Sequence, residues 1–334
     1  MKPSNVELKH WPAHAAAQLG ALIEAHAHQG AYAVFDMDNT SYRHDIAGAL
    51  LPYLEMRGVV TRATIDPSLK LMPFKDTPEF QESLTSYYFR LGAIDDLIGY
   101  PWVSQVFAGL TLKELKRHVD DLMAYGRPIP FRHYQGEQVV ASAAEAPRVF
   151  AGMAELYNRL HERGIEVWIV SAVAEEIVRM IASDPRYGYN VKPQNVIGIN
   201  LLLKDRVRGD VTTSRLQIRA GTYDPARNLE LELTPFLINP MTWMEGKFGT
   251  ILGWIDPWKK PILVAGDTPV SDGFMLQHGV DTDKGGVRVW VNRKDTHMAQ
   301  MRSLWEASAR RQEELGLPVT ADKNWIVVRP DEIQ

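Results

Sequence analysis

Asp36 and Asp38 stand two residues apart directly after a short apolar run, Ala31-Tyr-Ala-Val-Phe35, and Thr40 follows two residues later. Carboxylates at this spacing just past a strand can turn into one crevice. One can attack phosphorus as a nucleophile. The other can protonate the leaving oxygen and later deprotonate a water. The competing reading is two solvated loop aspartates with Thr40 as a cap. A second acidic pair, Asp267 and Asp272, follows the apolar run Pro261–Ala265 and a turn at Gly266. Such a pair beyond a strand suits Mg2+, which takes a few carboxylates and keeps water and substrate oxygens; an acidic turn is the alternative. Ser171 follows the run Ile165–Val170 and precedes a helix predicted from Ala174. Its hydroxyl and the helix amides can hold a phosphate oxygen, or the serine merely caps the helix. Lys247, in Glu245-Gly-Lys-Phe-Gly249, can neutralise a phosphoryl group or be an ordinary solvated lysine.

These groups act together only if a fold gathers them. Short continuous apolar runs read as buried parallel strands. They recur at Ala31–Phe35, Ile165–Val170, Asn195–Leu203, Pro261–Ala265, Gly286–Val291 and Trp325–Val328. Helices are predicted over Ala15–Ala27, where Leu19, Leu22 and Ile23 share a face, over Arg148–Arg163 and over Ala174–Ser183. Strands alternating with helices argue for an α/β fold with a Rossmann-like parallel sheet. In such sheets functional groups collect beyond the carboxyl ends of the strands. From Tyr42 to Pro147 the pattern turns mostly helical, with Leu50, Leu51 and Leu54, then Leu112, Leu115, Val119 and Leu122, at helical spacing. A structureless stretch of that length is implausible. A mainly helical cap over 42–147 is therefore expected, inserted into a core formed by 1–41 and 148–334. The polar stretch 204–245 reads as an excursion with short strands or hairpins.

The 334-residue chain is 45% hydrophobic and 23% charged, which excludes a disordered or collagen-like chain. A net charge of −4 offers no nucleic-acid surface and no polybasic membrane surface. Binding one phosphate needs only local charge. The absence of cysteine excludes a cysteine nucleophile, a Cys-ligated zinc and an iron–sulfur cluster. No apolar run approaches the roughly 18 residues that span a membrane. The Ala-rich stretch Ala13–His28, broken by His14, Gln18, Glu24 and His26, lacks the continuous apolar core of a signal peptide. Nothing in the sequence sets an oligomeric state.

The ordered set Asp-x-Asp-x-Thr, Ser, Lys and Gly-Asp-x4-Asp resembles the phosphatases of the haloacid dehalogenase superfamily. Within it, Phe35-Asp-Met-Asp-Asn-Thr-Ser-Tyr42, Ile169-Val-Ser-Ala172 and Ala265-Gly-Asp-Thr-Pro269 with Ser271-Asp272 look like bacterial phosphorylcholine phosphatases. The similarity extends over nearly the whole chain, through Tyr100-Pro-Trp102 and Val291-Asn-Arg-Lys294. The resemblance implies Asp36 as nucleophile and Asp38 as general acid and base, with Ser171 and Lys247 holding the phosphoryl group. It implies Mg2+ on Asp36, the main-chain carbonyl of Asp38 and Asp267, with Asp272 supporting the metal or Lys247. A periplasmic location is the family expectation, with the cytoplasm as the alternative. Three positions depart from the family, at two places. Ala47 and Gly48 stand where acidic residues face a cationic headgroup, and Val270 stands where Asp often continues the Gly-Asp-Thr-Pro loop.

The expected partner is thus a small phosphate ester, with a quaternary or primary amine in its alcohol. Aromatic faces can hold such a cation. The substrate-side candidates are Thr40, Asp45, Tyr87, Tyr88, Tyr100 and Trp102; simple packing of the rings is the alternative. Asp95, Asp96 and Trp243 are lesser candidates. Other readings are a phosphatase for a phosphoserine-like ester and a non-catalytic binder of choline-like ligands. A dehalogenase would need neither Asp38 nor a metal.

Overall fold

The apolar runs form the interior of one sheet in the computed structural model, which describes residues 6–334. Among the described residues the strands are β1 (Tyr32–Phe35), β2 (Tyr42–Arg43), β3 (Ile129–Gln135), β4 (Gln138–Ala144), β5 (Arg148–Val149) and β6 (Glu166–Ala174). They continue with β7 (Val196–Asp205), β8 (Val211–Thr212), β9 (Leu231–Ile238), β10 (Leu263–Gly266), β11 (Val287–Val291) and β12 (Trp325–Val328). The main sheet runs β12-β11-β10-β1-β6-β7-β8, and β9 also pairs with β7. The pairs from β12 to β7 are parallel, whereas β8 and β9 run antiparallel to β7. This is the α/β class expected from the alternation of strands and helices.

Register explains why the distant motifs meet. Phe35 of β1 lies opposite Ala265 of β10 on one side and Ile169 of β6 on the other. β1 and β10 therefore end nearly level, while β6 runs on to Ala174. Asp36, Asp267 and, from β6, Ala172 and Val173 line one crevice, where the winding of the sheet reverses.

Alternation along β1 feeds two cores. Ala33 and Phe35 join the cluster containing Leu19, Ile23, Met153 and Leu156. Tyr32 and Val34 join Met275, Leu276, Trp290 and Met301 on the opposite face. Period-two alternation sends successive side chains to opposite faces, and each fully buried apolar side chain contributes about 1.5–3 kcal/mol. β1 is thus held rigidly from both sides, and so is the residue that follows it.

Strands β2 and β5 pair antiparallel, Tyr42 opposite Val149 and Arg43 opposite Arg148, and bring the chain out of and back to the sheet domain. Between them lie helices Ile46–Met56, Leu84–Ile94, Asp96–Gln105 and Leu112–Met123. The same segment carries the hairpin β3–β4. That hairpin is an addition to the mainly helical reading of this region. Pro130, Arg132 and the polar Gln135–Gln138 turn break its apolar run, so no strand signal stood out. The segment is also tied to the sheet at a distance from β2 and β5. Gly109 N donates to Leu233 O (2.8 Å), Leu233 N to Leu110 O (2.9 Å) and Lys113 N to Leu229 O (2.9 Å). No helix among the described residues is long and apolar enough to cross a membrane.

Candidate active site

The Asp36 N–H still bonds Ala265 O at 3.1 Å, so this residue prolongs the β1–β10 ladder before the chain turns. The turn is tight. The amides of Thr40 and Ser41 donate to Met37 O at 3.2 and 2.8 Å, and Asn39 takes φ 56°, a left-handed conformation that Asn tolerates. The Ser41 hydroxyl donates to Asp36 O at 2.6 Å. Asp38 is pinned through one oxygen: Oδ1 accepts from Tyr42 OH at 2.6 Å and from Ile46 N at 3.0 Å. The second bond comes from the N-terminus of helix Ile46–Met56, where unsatisfied amides favour a carboxylate partner.

Lys247 is 1% exposed and bridges two acids, with Nζ 2.6 Å from Asp36 Oδ1 and 2.7 Å from Asp272 Oδ1. The other oxygen of Asp272 accepts the amides of Asp267 and Thr268, both at 2.9 Å. Asp272 therefore shapes the loop after β10 and holds the lysine. Both its oxygens are engaged, one with Lys247 and one with the loop, and it stays within reach of the Asp36 and Asp267 oxygens. Gly266 makes this possible, because a Cβ there would lie 2.6 Å from the Cβ of Asp272. The Thr40 hydroxyl lies 3.3 Å from Asp36 Oδ2 and 3.5 Å from Asp267 Oδ1, linking the two carboxylates.

Charge in this cleft is strongly perturbed. Burial pushes Asp36 up to about 6, with Lys247 opposing and Asp272 adding to the rise. Burial also pushes Asp267 up to about 7 against the pull of Arg293. Asp38 is raised well above the usual carboxylate range by burial and then by Asp45. Burial alone would lower Lys247, but Asp272 and Asp36 outweigh it and lift it above the usual lysine value. Oxygens of Asp36, Asp267 and Asp272 lie within 4.8 Å of one another. Buried hard oxygens in that number fit Mg2+, and a divalent cation would relieve the desolvation that raises Asp36 and Asp267.

A cavity of about 90 Å3 opens above these groups, lined by Asp36, Asp38, Asp45, Tyr88, Tyr100 and Lys247 among others. Asp45 is exposed at its mouth and caps helix Ile46–Met56 through Gly48 N at 2.6 Å. Ala47 is also in the lining and brings no charge. Tyr87 and Trp102 are not in the lining. Tyr87 is fully buried, its hydroxyl donating to Met72 O and accepting from Met72 N. Trp102 is 1% exposed and donates its indole N–H to Leu69 O. Helical geometry is the reason: adjacent residues point about 100° apart and residues two apart about 200°, so Tyr87-Tyr88 and Tyr100-x-Trp102 cannot share a face. Trp102 instead lies nearly parallel to the ring of Tyr88, 6.3 Å between centroids. Asp95 caps the next helix through Leu97 N, and Trp243 is buried.

Ser171 is not a helix cap. β6 runs on to Ala174, with an irregularity between Val170 and Ala174, and the helix starts at Glu175. Among the described residues the Ser171 hydroxyl is buried without a hydrogen-bond partner, while its carbonyl accepts from Thr242 Oγ1 at 2.5 Å. Ser171 is not in the cavity lining, which takes Ala172 and Val173 from this strand instead.

No family model matches the chain. Over 331 residues it is 60% identical to the phosphorylcholine phosphatase of Pseudomonas aeruginosa, covering 99% of this chain and 94% of that one. The chain belongs to the phosphorylcholine phosphatase family. Two solved structures share the architecture at low identity and bear on the fold alone. A conserved protein of unknown function from Anaerococcus prevotii DSM 20548 superposes with a TM-score of 0.62 at 21% identity, covering 93% of each chain. A protein of unknown function from Bordetella pertussis Tohama I gives a TM-score of 0.50 at 13% identity, covering 90% of this chain and 98% of that one.

Arg293 is the residue that sequence reasoning missed. It follows β11 by two positions, and its side chain lines the cavity and pairs with Asp267. The signal was present, because Arg293 lies just beyond the carboxyl end of a predicted strand. A lone arginine in Asn-Arg-Lys has no motif to distinguish it.

Proposed function

We propose that this chain hydrolyses phosphorylcholine, or a closely related amino-alcohol phosphate, in a Mg2+-dependent reaction through an aspartyl-phosphate on Asp36. As a member of the family it is a phosphoric monoester hydrolase. The observation that carries the reading is the buried Asp36 carboxylate held by Lys247 at 2.6 Å, with a second carboxyl, Asp38, beside it and biased toward its protonated form.

An oxygen of Asp36 attacks phosphorus and the bond to the alcohol oxygen breaks. The Asp38 proton passes to that oxygen, so it leaves as a hydroxyl rather than an alkoxide. Tyr42 and Ile46 N hold Oδ1 of Asp38, which leaves Oδ2 to carry the proton. Asp38, now ionised, takes a proton from water as the water attacks the phosphoryl group. Phosphate leaves and Asp36 is restored. Lys247 and the Ser171 hydroxyl supply positive charge and a hydrogen bond to the phosphoryl oxygens. Asp36, Asp267 and the Asp38 carbonyl are the groups that would hold Mg2+, which neutralises phosphoryl charge when bound.

The segment between β2 and β5 acts as the cap in this reading. Tyr88 and Tyr100 present ring surface for the cationic headgroup, and Asp45 supplies a carboxylate at the mouth. Asp36→Asn should abolish turnover of both p-nitrophenyl phosphate and phosphorylcholine. Retained activity in that variant, or in protein stripped of divalent metal, refutes the mechanism. The uncharged Ala47 in the lining favours one second reading, a different small alcohol phosphate. Comparing kcat/KM for phosphorylcholine, phosphorylethanolamine and phosphoserine decides between them.

A further inference from the structure

We propose that Arg293 is a positioning residue for Asp267, fixing which carboxylate oxygen that aspartate turns toward Asp36. The inference rests on the proposed Mg2+ site at Asp36 and Asp267. Arg293 Nε donates to Asp267 Oδ2. Its Nη2 lies 3.3 Å from Thr268 Oγ1, and that hydroxyl in turn lies 3.1 Å from the same Oδ2. Arginine and threonine thus hold Oδ2 together. Oδ1 is left facing inward, 3.5 Å from the Thr40 hydroxyl that also touches Asp36.

The guanidinium reaches Asp267 from the neighbouring strand, so its placement is independent of the β10 loop it steadies. Asn292 N bonds Val328 O at 2.7 Å, which continues the β11–β12 pairing and fixes the backbone from which Arg293 projects. A planar fork satisfies the carboxylate and the hydroxyl simultaneously, whereas a lysine ammonium is a compact point charge. The side chain is 28% exposed while that of Asp267 is 3% exposed, so the arginine seals the solvent side of a buried acid. Without it, Asp267 would lose the ion-pair partner that holds Oδ2.

Two physical effects predict opposite signs. By charge alone, removing a cation beside the site should tighten binding of Mg2+. If Arg293 positions Asp267, its removal should weaken binding, as loss of partners that orient metal ligands typically does by about 10–100-fold. Titration of metal-stripped protein with MgCl2, followed by calorimetry, separates the two without recourse to activity. We expect Arg293→Gln to weaken Mg2+ binding by at least about tenfold and Arg293→Lys to weaken it less. Thr268→Val should weaken it as well, without any change of charge. The unfolding temperature of each metal-free variant guards against loss of the fold, and Thr268→Val carries the test if Arg293→Gln fails to fold. Binding as tight as wild type, or tighter, in Arg293→Gln or in Thr268→Val overturns the inference while leaving the proposed site intact. No Mg2+ binding by the wild-type protein overturns both.

Discussion

At the scale of single residues, the cleft uses burial to divide labour among similar carboxyl groups. Asp36 and Asp38 are chemically alike, yet a buried lysine meets one and a helix N-terminus with a tyrosine meets the other. Asp38→Asn removes the transferable proton and should lower kcat for phosphorylcholine by about 10²–10⁴-fold. The loss should be smaller for p-nitrophenyl phosphate, whose leaving group needs no proton. Steady-state kinetics on the two esters measures the difference. The same burial has a signature in stability. Asp36 and Asp267 have folded values of about 6 and about 7, above those of an unfolded chain. The native state therefore binds more protons than the unfolded state between about pH 4 and 7. In metal-free protein their contribution is fully present below about pH 4 and is lost as pH rises through 6 and 7. Mg2+ binds the ionised groups, so its effect on melting temperature should be larger at pH 8 than at pH 5. Thermal melts with and without EDTA test this. Asp184 acts in a separate window. Arg186 and Lys116 hold it well below the usual carboxylate range, so its contribution is lost only as pH falls below about 4.

Elements convert sequence-distant groups into a site by ending in the same place. β1, β6 and β10 are in register at Phe35, Ile169 and Ala265. The loop after β10 must then fold back sharply so that Asp272 can accept the amides of Asp267 and Thr268. Gly266 permits that approach. Gly266→Ala would put a methyl 2.6 Å from Asp272 Cβ, against a short side chain held in place by its own hydrogen bonds. We expect a cost of about 1–3 kcal/mol in urea unfolding. The catalytic loss should be larger than that destabilisation accounts for, because displaced Asp272 releases Lys247. Unchanged kinetics in a destabilised Gly266→Ala would show that the loop does not position the lysine.

Over the whole molecule, the segment between β2 and β5 is fastened in two separate regions. One is the β2–β5 pair, and the other is the backbone contact of 109–113 with 229–233. An ionic cluster of Lys116, Asp120, Asp184 and Arg186 reinforces the second. A segment fastened this way has little scope for rigid-body swinging, so substrate is expected to enter through the mouth at Asp45. The chain has no cysteine, which makes a clean test available. Thr111 and Glu232 form an antiparallel bridge, a spacing compatible with a disulfide. The oxidised Thr111→Cys/Glu232→Cys protein should melt higher than its reduced form and keep its kcat. A large fall in kcat on oxidation, reversed by reductant, would show that the two regions must part during turnover.

The sequence by itself determined which residues had chemistry to offer and which strands would carry them. Apolar runs of four to six residues announce buried strands, and Asp36, Asp38, Ser171 and Asp267 follow such runs in the chain. It also marked Lys247, although only as one lysine between two glycines. It did not determine orientation. That Tyr88 and Tyr100 reach the cavity while Tyr87 and Trp102 face inward depends on how two helices roll against their neighbours. The β3–β4 hairpin was illegible because its pairing depends on partners, not on its own apolar pattern. Arg293 acquired significance only from the strand beside Asp267, and the division of work between Asp267 and Asp272 only from which oxygens were already bonded. Local patterns encode the period and the ends of elements. Long-range packing alone decides which side chains share a cleft and which lone pairs remain free.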